Sequence, residues 1–187
     1  MRIISGKLKG KSILFLKSQN TRPLKDSVKE NIFNIISHSN LLKINIENSN
    51  VLDLYAGIGS FGLECISRGA KQITFVENNK NALELLNKNL SNLSIQSQAL
   101  IVNDKIKNFL EKKQINKYQI IFLDPPFAEN NFINELKIIK KKRIYQDNHI
   151  VVLHRERKSS DNFLEVINPI VIKQYQRSKI IFGKFLS

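Results

Sequence analysis

The chain has 187 residues, 42% hydrophobic and 25% charged, enough for one substantial core but too few for two ordinary domains, and far from the composition of a disordered or fibrous chain. Thirty Lys and Arg against 16 Asp and Glu give a formal net charge of +14. A surplus of that size draws in polyanions and sits poorly with an enzyme of small neutral metabolites, so nucleic acid is the expected partner; the bland alternative is a lysine-rich composition that merely solvates the surface.

In chain order, "MRIISGKLKGKSILFLKSQN" mixes β-favouring residues with turn points at Gly6 and Gly10 and predicts a short basic hairpin. In "TRPLKDSVKENIFNIISHSN", Asp26 or Ser27 can cap a helix in which Val28, Ile32, Ile35 and Ile36 share one apolar face. Residues 41–50 read as a polar connection. From residue 51 the rhythm becomes alternating strands and helices, which points to a parallel sheet covered on both faces. "NVLDLYA", "QITFVE", "QALIVN", "YQIIFLD" and "HIVVLHR" read as strands. Between them "SFGLECISRGA", "NNKNALELLNKNLSNL" (Ala82, Leu85, Leu86 and Leu90 inward), "KIKNFLEKK" and a basic segment near 132–142 read as helices. Two β segments around "FLEVINPIVIKQYQ" and "KIIFGKF" close the chain. The expected fold is α/β: a doubly wound, Rossmann-like, seven-stranded sheet with an antiparallel pair at its end.

Cys65 is the only cysteine, so it reads as a small apolar helix residue rather than a nucleophile, with no intramolecular disulfide available. His38, His149 and His154 are scattered without metal-ligand spacing, so no metal is expected. No apolar run approaches the roughly 20 residues of a membrane span, and the N-terminus lacks the apolar stretch of a secretory signal. A cytoplasmic protein is the expectation.

The chemistry concentrates in two places. "VLDLYAGIGSFGLE" carries Gly57, Gly59 and Gly62 as GxGxxG between a strand and a helix, where glycine lets the backbone turn tightly and approach a ligand. Glu77 ends the next strand 20 residues after Gly57, where a carboxylate can accept from both hydroxyls of a ribose. These features alone also suit a nicotinamide or flavin cofactor. Asp53, four residues before Gly57, can reach an amino group or hold the loop through backbone N–H groups. That negative end suits the ammonium and sulfonium of S-adenosylmethionine better than a pyrophosphate.

The second place is "IIFLDPPF", whose loop opens at the carboxyl edge of the sheet beside the same crevice. Proline has no N–H of its own, so Asp124 and the Pro125 carbonyl can both accept from one exocyclic NH2 group, stiffened by Pro126. Holding both hydrogens favours a pyramidal nitrogen whose lone pair faces a sulfonium methyl, a matter of positioning and electrostatics. Phe127 can stack a base, a contact worth about 1–3 kcal/mol in single-strand binders.

"RIISGKLKGKSI", "TRPLKDSVKENIFNII", "VLDLYAGIGSFGLECISRGA", "FVENN" and "IIFLDPPF" together resemble, in order, the blocks of the bacterial 16S rRNA guanine-N2 methyltransferases that modify guanine 966, within the class I S-adenosylmethionine-dependent methyltransferases. The likeness covers most of residues 2–127; Ser27 stands where the family often has an arginine. It implies that Asp53, Tyr55, Gly57, Gly59, Glu77 and Asn78 hold the cofactor, that Asp124, Pro125 and Pro126 receive the target amine, and that Phe127 stacks the base. Asp104 would approach the adenine or cap a helix. Residues 1–40 become a basic extension in which Arg2, Lys7, Lys9, Lys11 and Arg22 grip rRNA phosphates, and 41–187 the catalytic domain, acting as a monomer on the small subunit or its assembly intermediate while an extruded guanine enters the pocket. The run "KIIKKKR" reads as the solvated face of a helix. Rival readings are the same chemistry on another RNA base or a DNA adenine, and an RNA-binding assembly factor without turnover.

Overall fold

In the computed structural model, residues 1–15, 24, 26–126 and 128–186 are described. The β-favouring and helical periodicities resolve into α1 (Asp26–His38), β1 (Asn50–Leu54), α2 (Ser60–Ser67), β2 (Gln72–Glu77), α3 (Lys80–Asn92), β3 (Ala99–Asn103), α4 (Ile106–Glu111), β4 (Tyr118–Leu123), α5 (Phe132–Lys142), β5 (Tyr145–Glu156), β6 (Ile167–Gln174) and β7 (Ser178–Phe185). The strands form one seven-stranded sheet in the order β3-β2-β1-β4-β5-β7-β6. Strands β1 to β5 run parallel and β7 pairs antiparallel with both β5 and β6. The expected doubly wound α/β sheet is the one observed.

Strand periodicity divides the core in two. Val51, Ile120, Phe122, Ile150 and Val152 join a layer with Ile32 and Phe33 of α1, Phe61 and Cys65 of α2, and Leu86 of α3. Their neighbours Leu52, Leu54, Ile121, Leu123, Val151 and Leu153 face the other side, against Phe109 and Leu110 of α4 and Leu136 and Ile139 of α5. Successive side chains of a strand point to opposite faces, so a strand buried on both must be apolar throughout. Phe33, Phe61 and Phe122 stack in series, with ring centroids 5.1 and 4.0 Å apart. Cys65 is fully buried in this layer.

One strand starts several residues earlier than expected. β5 begins at Tyr145 rather than His149, because the polar segment 145–148 extends a ladder whose hydrogen bonds are made by backbone, starting at Tyr118↔Tyr145 before a register shift. The helix expected to end near Gly69 does so, with Ser67 its last residue, Arg68 its C-cap and Gly69 at φ 94 turning the chain.

The first residues form the expected hairpin, bridged between Arg2 and Ser12, and α2 holds it. Both carboxylate oxygens of buried Glu64 accept from it, from Ile4 N at 2.8 Å and Ser5 N at 2.9 Å, and Arg68 Nε joins them at 2.9 Å. Buried Lys29 of α1 donates to Arg2 O at 2.8 Å. Burial pulls the Lys29 ammonium below its ordinary range, an effect opposed by nearby Glu64 and Asp26.

Candidate active site

The order of the sheet places the site. Chain order reverses between β1 and its neighbour β4, the switch point at whose carboxyl edge open α/β sheets bind ligands. The register Leu54↔Leu123 ends both strands level, so the loop after Leu54 and the corner after Leu123 leave the sheet side by side, one strand spacing of roughly 4.8 Å apart. The glycine loop and the DPP corner, far apart in sequence, are brought together.

Three carboxylates organise that edge. Glu77, at the end of β2, accepts from Gly57 N at 2.7 Å through Oε2 and from Asn78 N and Asn79 N, each at 2.8 Å, through Oε1. A carboxylate has about four acceptor positions, so among the described residues one is left for a hydroxyl without displacing backbone. Asp53, buried on β1, accepts from Gly62 N at 3.0 Å; of the two roles open to it, holding the loop is visible. Burial pushes its carboxyl well above the ordinary range, the Gly62 N–H opposes this, and Asp124 and Glu77 add to the rise.

The glycines differ in what confines them. A Cβ on Gly62 would lie 2.3 Å from Phe75, and one on Gly59 (φ 84) 2.5 Å from Leu86, so these two let α2 pack against β2 and α3. Gly57 (φ 56) would project a Cβ into open space. Tyr55 follows β1 with φ 61 and donates its hydroxyl to Glu135 Oε2 of α5 at 2.7 Å. Burial lifts the Glu135 carboxyl to about 6, against the pull of the Tyr55 hydroxyl. Asn78 is exposed, and Asn79 caps α3 by accepting from Ala82 N at 3.0 Å.

Asp104 turns inward on its own loop. Its Oδ1 accepts from Lys105 N and Asn108 Nδ2, both at 2.8 Å, and Lys112 lies 3.8 Å from Oδ2. The Asn108 amide leads the effects that hold this carboxyl below its ordinary range. The N-cap of α4 is Lys105, without a side-chain cap, so these contacts do not make Asp104 the expected helix cap.

At the DPP corner Asp124 keeps 24% of its side chain exposed and its Oδ1 lies 2.8 Å from His154 Nδ1 of β5. Among the described residues neither Asp124 Oδ2 nor the Pro125 carbonyl accepts a hydrogen bond. The Pro126 carbonyl is taken, by Glu129 N at 2.8 Å and Arg155 Nη1 at 3.1 Å. Arg155 is itself held by Asp161, at 3.0 Å from Nε and 2.9 Å from Nη2, and lies over the Phe132 ring at 4.5 Å. Phe127 lies outside the described residues.

His154, Arg155, Asp161 and Glu135 contact the DPP corner or the residues beside the glycine loop, and sequence reasoning misses them. For the first two a signal exists: "HIVVLHRE" ends an apolar run in polar groups, the same pattern that marks Asp124. Of the basic residues assigned to RNA, Arg2, Lys7, Lys9 and Lys11 are exposed on the hairpin, Lys7 donating to Gln98 Oε1 at 2.9 Å, and Arg22 lies outside the described residues. Asn89 of α3 ties the hairpin's exit to the glycine loop by donating to Leu14 O at 3.1 Å and Ile58 O at 3.2 Å.

The family described as Conserved hypothetical protein 95 matches residues 1–184. The chain is 35% identical over 159 residues to the ribosomal RNA small subunit methyltransferase D of Haemophilus influenzae, covering 84% of this chain and 79% of that one. To the protein of the same name from Buchnera aphidicola (Acyrthosiphon pisum) it is 33% identical over 158 residues, with the same shares covered. The solved structure of yhhF from Escherichia coli matches 99% of this chain and 97% of its own at 25% identity, with a TM-score of 0.84.

Proposed function

From the premise that this chain belongs to the family described as Conserved hypothetical protein 95, and is like its relatives an S-adenosylmethionine-dependent rRNA methyltransferase, we propose that it methylates the exocyclic N2 amine of one guanine in 16S rRNA, guanine 966. The observation that carries this reading is the pair Asp124 Oδ2 and the Pro125 carbonyl, which accept no hydrogen bond among the described residues and lie level with the glycine loop across the β1–β4 register. Two acceptors on one corner match the two hydrogens of an NH2 group, whereas a ring nitrogen or a hydroxyl would leave one of them unsatisfied.

The residues fit the cofactor. Gly57 faces open space, as a position approached by a ligand requires, and Glu77 retains one acceptor toward a ribose hydroxyl. Asp53, Tyr55, Gly59 and Asn78 shape the same loop. When bound, S-adenosylmethionine supplies an electrophilic methyl on a sulfonium. Asp124 and Pro125 hold the amine so that its lone pair faces that methyl, and orientation of this kind lowers the barrier without a covalent intermediate on the protein. A nitrogen that takes the methyl group, as the methyl carbon–sulfur bond breaks and leaves a neutral thioether, would lose one proton along the hydrogen bond to Asp124. Phe127 stacks the extruded base, Pro126 stiffens the corner, and Arg2, Lys7, Lys9, Lys11 and Arg22 of the basic 1–40 segment grip phosphates. The chain works in the cytoplasm as a monomer, on the small subunit or its assembly intermediate.

Mass mapping of modified nucleosides in rRNA from cells with and without the gene tests the reading. N2-methylguanosine lost at a single 16S position is the expected result. If that nucleoside is unchanged while another base loses its methyl group, the chemistry stands and the target is wrong. If nothing changes and S-adenosylmethionine does not bind, the chain is an assembly factor.

A further inference from the structure

The opposite edge of the sheet carries a second concentration of charge. Lys117 precedes β4, Lys137, Lys140 and Lys141 lie on α5, and Arg143 ends that helix; together they surround an open depression of about 630 Å³. Asp147 and Glu165 also line it, so five cations face two carboxylates. Among the described residues none of the five lies within ion-pair distance of an acidic group. Lys142 is different, for its ammonium caps carbonyls at the end of α4, Leu110 O at 2.7 Å and Lys112 O at 3.0 Å.

Stability accounts for only part of this arrangement. Cations in the last turn of α5 gain from the helix dipole, which covers Lys140 and Lys141. It does not explain Lys117, which belongs to another segment, nor Lys137, a turn earlier. Arg143 occupies a left-handed C-cap, φ 50 and ψ 49, where glycine is the usual occupant and a side chain is strained. Five cations against two carboxylates around one hollow leave a positive excess that favours an added anion.

We infer that this depression is a second RNA-binding face, which takes the phosphate backbone of a segment remote from the target nucleotide. Lys117 and Asp124 bracket β4, whose six residues span about 20 Å at roughly 3.3 Å each. A nucleotide extruded at one edge cannot place its own phosphates at the other. The face therefore engages a separate part of a large folded RNA and adds affinity without touching the chemistry. The inference rests on the rRNA reading above for its partner, and on the charge geometry for its place.

The test is the variant Lys137→Gln, Lys140→Gln, Lys141→Gln, Arg143→Gln, with binding measured against salt for full-length 16S rRNA and for a short hairpin carrying the target. Log-log salt slopes fall by roughly 0.7–0.9 for each phosphate that is no longer neutralised. The expected result is a slope lower by about 3 on the full-length RNA, four cations at roughly 0.7–0.9 each, and at least tenfold weaker binding at moderate salt, with methyl transfer to the hairpin unchanged. An unchanged slope on full-length RNA overturns the inference, as does an equal loss on the hairpin, which would place the face within reach of the target. A defect seen only with assembled subunits also overturns it, since the partner would then be a protein. Should the unaltered protein methylate no rRNA at all, the functional reading fails instead, whatever the variant does.

Discussion

His154 Nδ1 lies 2.8 Å from Asp124 Oδ1, a contact between β5 and the corner that follows β4. A carboxylate only accepts, so the ring nitrogen donates and the imidazole carries its proton on Nδ1. This fixes the rotamer of Asp124 and leaves Oδ2 for the substrate. His154→Ala frees that carboxylate, and loss of a hydrogen bond to a charged group, about 1.5–3 kcal/mol, lowers kcat roughly 10- to 100-fold. His154→Asn sets an amide N–H near the place of Nδ1 and restores much of the rate. Steady-state methyl transfer with calorimetry for the cofactor checks this; a matching loss of cofactor affinity in the alanine variant argues for a different role.

Gly57 and Gly62 answer to different constraints, and alanine separates them. At Gly62 the added methyl meets Phe75 at 2.3 Å, an overpacking that costs about 1–3 kcal/mol. At Gly57 it meets no protein atom within 4 Å; only the positive φ is strained. Gly57→Ala is thus expected to weaken cofactor binding at least tenfold with the smaller fall in Tm. Gly62→Ala is expected to show the larger fall, and thermal melts beside cofactor titrations distinguish the two.

Glu135 sets a pH dependence of stability. Its carboxyl is raised from 4.5 to about 6 in the folded chain, so the native state holds the proton more tightly than the unfolded one. The resulting stabilisation is full below pH 4.5 and lost as pH rises through about 6, at most about 2 kcal/mol in total. Glu135→Gln keeps an acceptor for Tyr55 and cannot ionise. Its Tm relative to the parent is expected to rise between pH 4.5 and 6.5, by roughly 2–4 °C per kcal/mol. A constant difference across that range contradicts the assignment.

Arg155 and Asp161 form a buried pair, with side chains 1% and 4% exposed. Removing either partner alone strands a charge and costs about 3–5 kcal/mol. The double variant Arg155→Met, Asp161→Leu is expected to regain most of the stability, because neither charge remains. It still lacks the donor to the Pro126 carbonyl, so methyl transfer stays depressed. Full recovery of turnover in the double variant would show that the corner holds its shape without Arg155.

The sequence by itself determined the order of strands and helices, the glycine turn and the DPP corner. Each is written locally: strand and helix periods are set by neighbours within a few residues, Gly59 is required by its own φ, and Pro125 withholds its own N–H. Asp124 was legible as an acceptor for the same reason. Only the tertiary structure decided which side chains meet. His154 reaches Asp124 across 30 residues and Tyr55 reaches Glu135 across 80, because strand order and register bring those positions together, and no local pattern encodes adjacency across a sheet. The same holds for Glu77, whose place after a strand was evident, while the direction of its carboxylate depended on where the Gly57 N–H came to rest. Lys117 joins Arg143 around one hollow for that reason too: β4 and β5, which they precede, are paired neighbours, although the two residues are far apart in sequence.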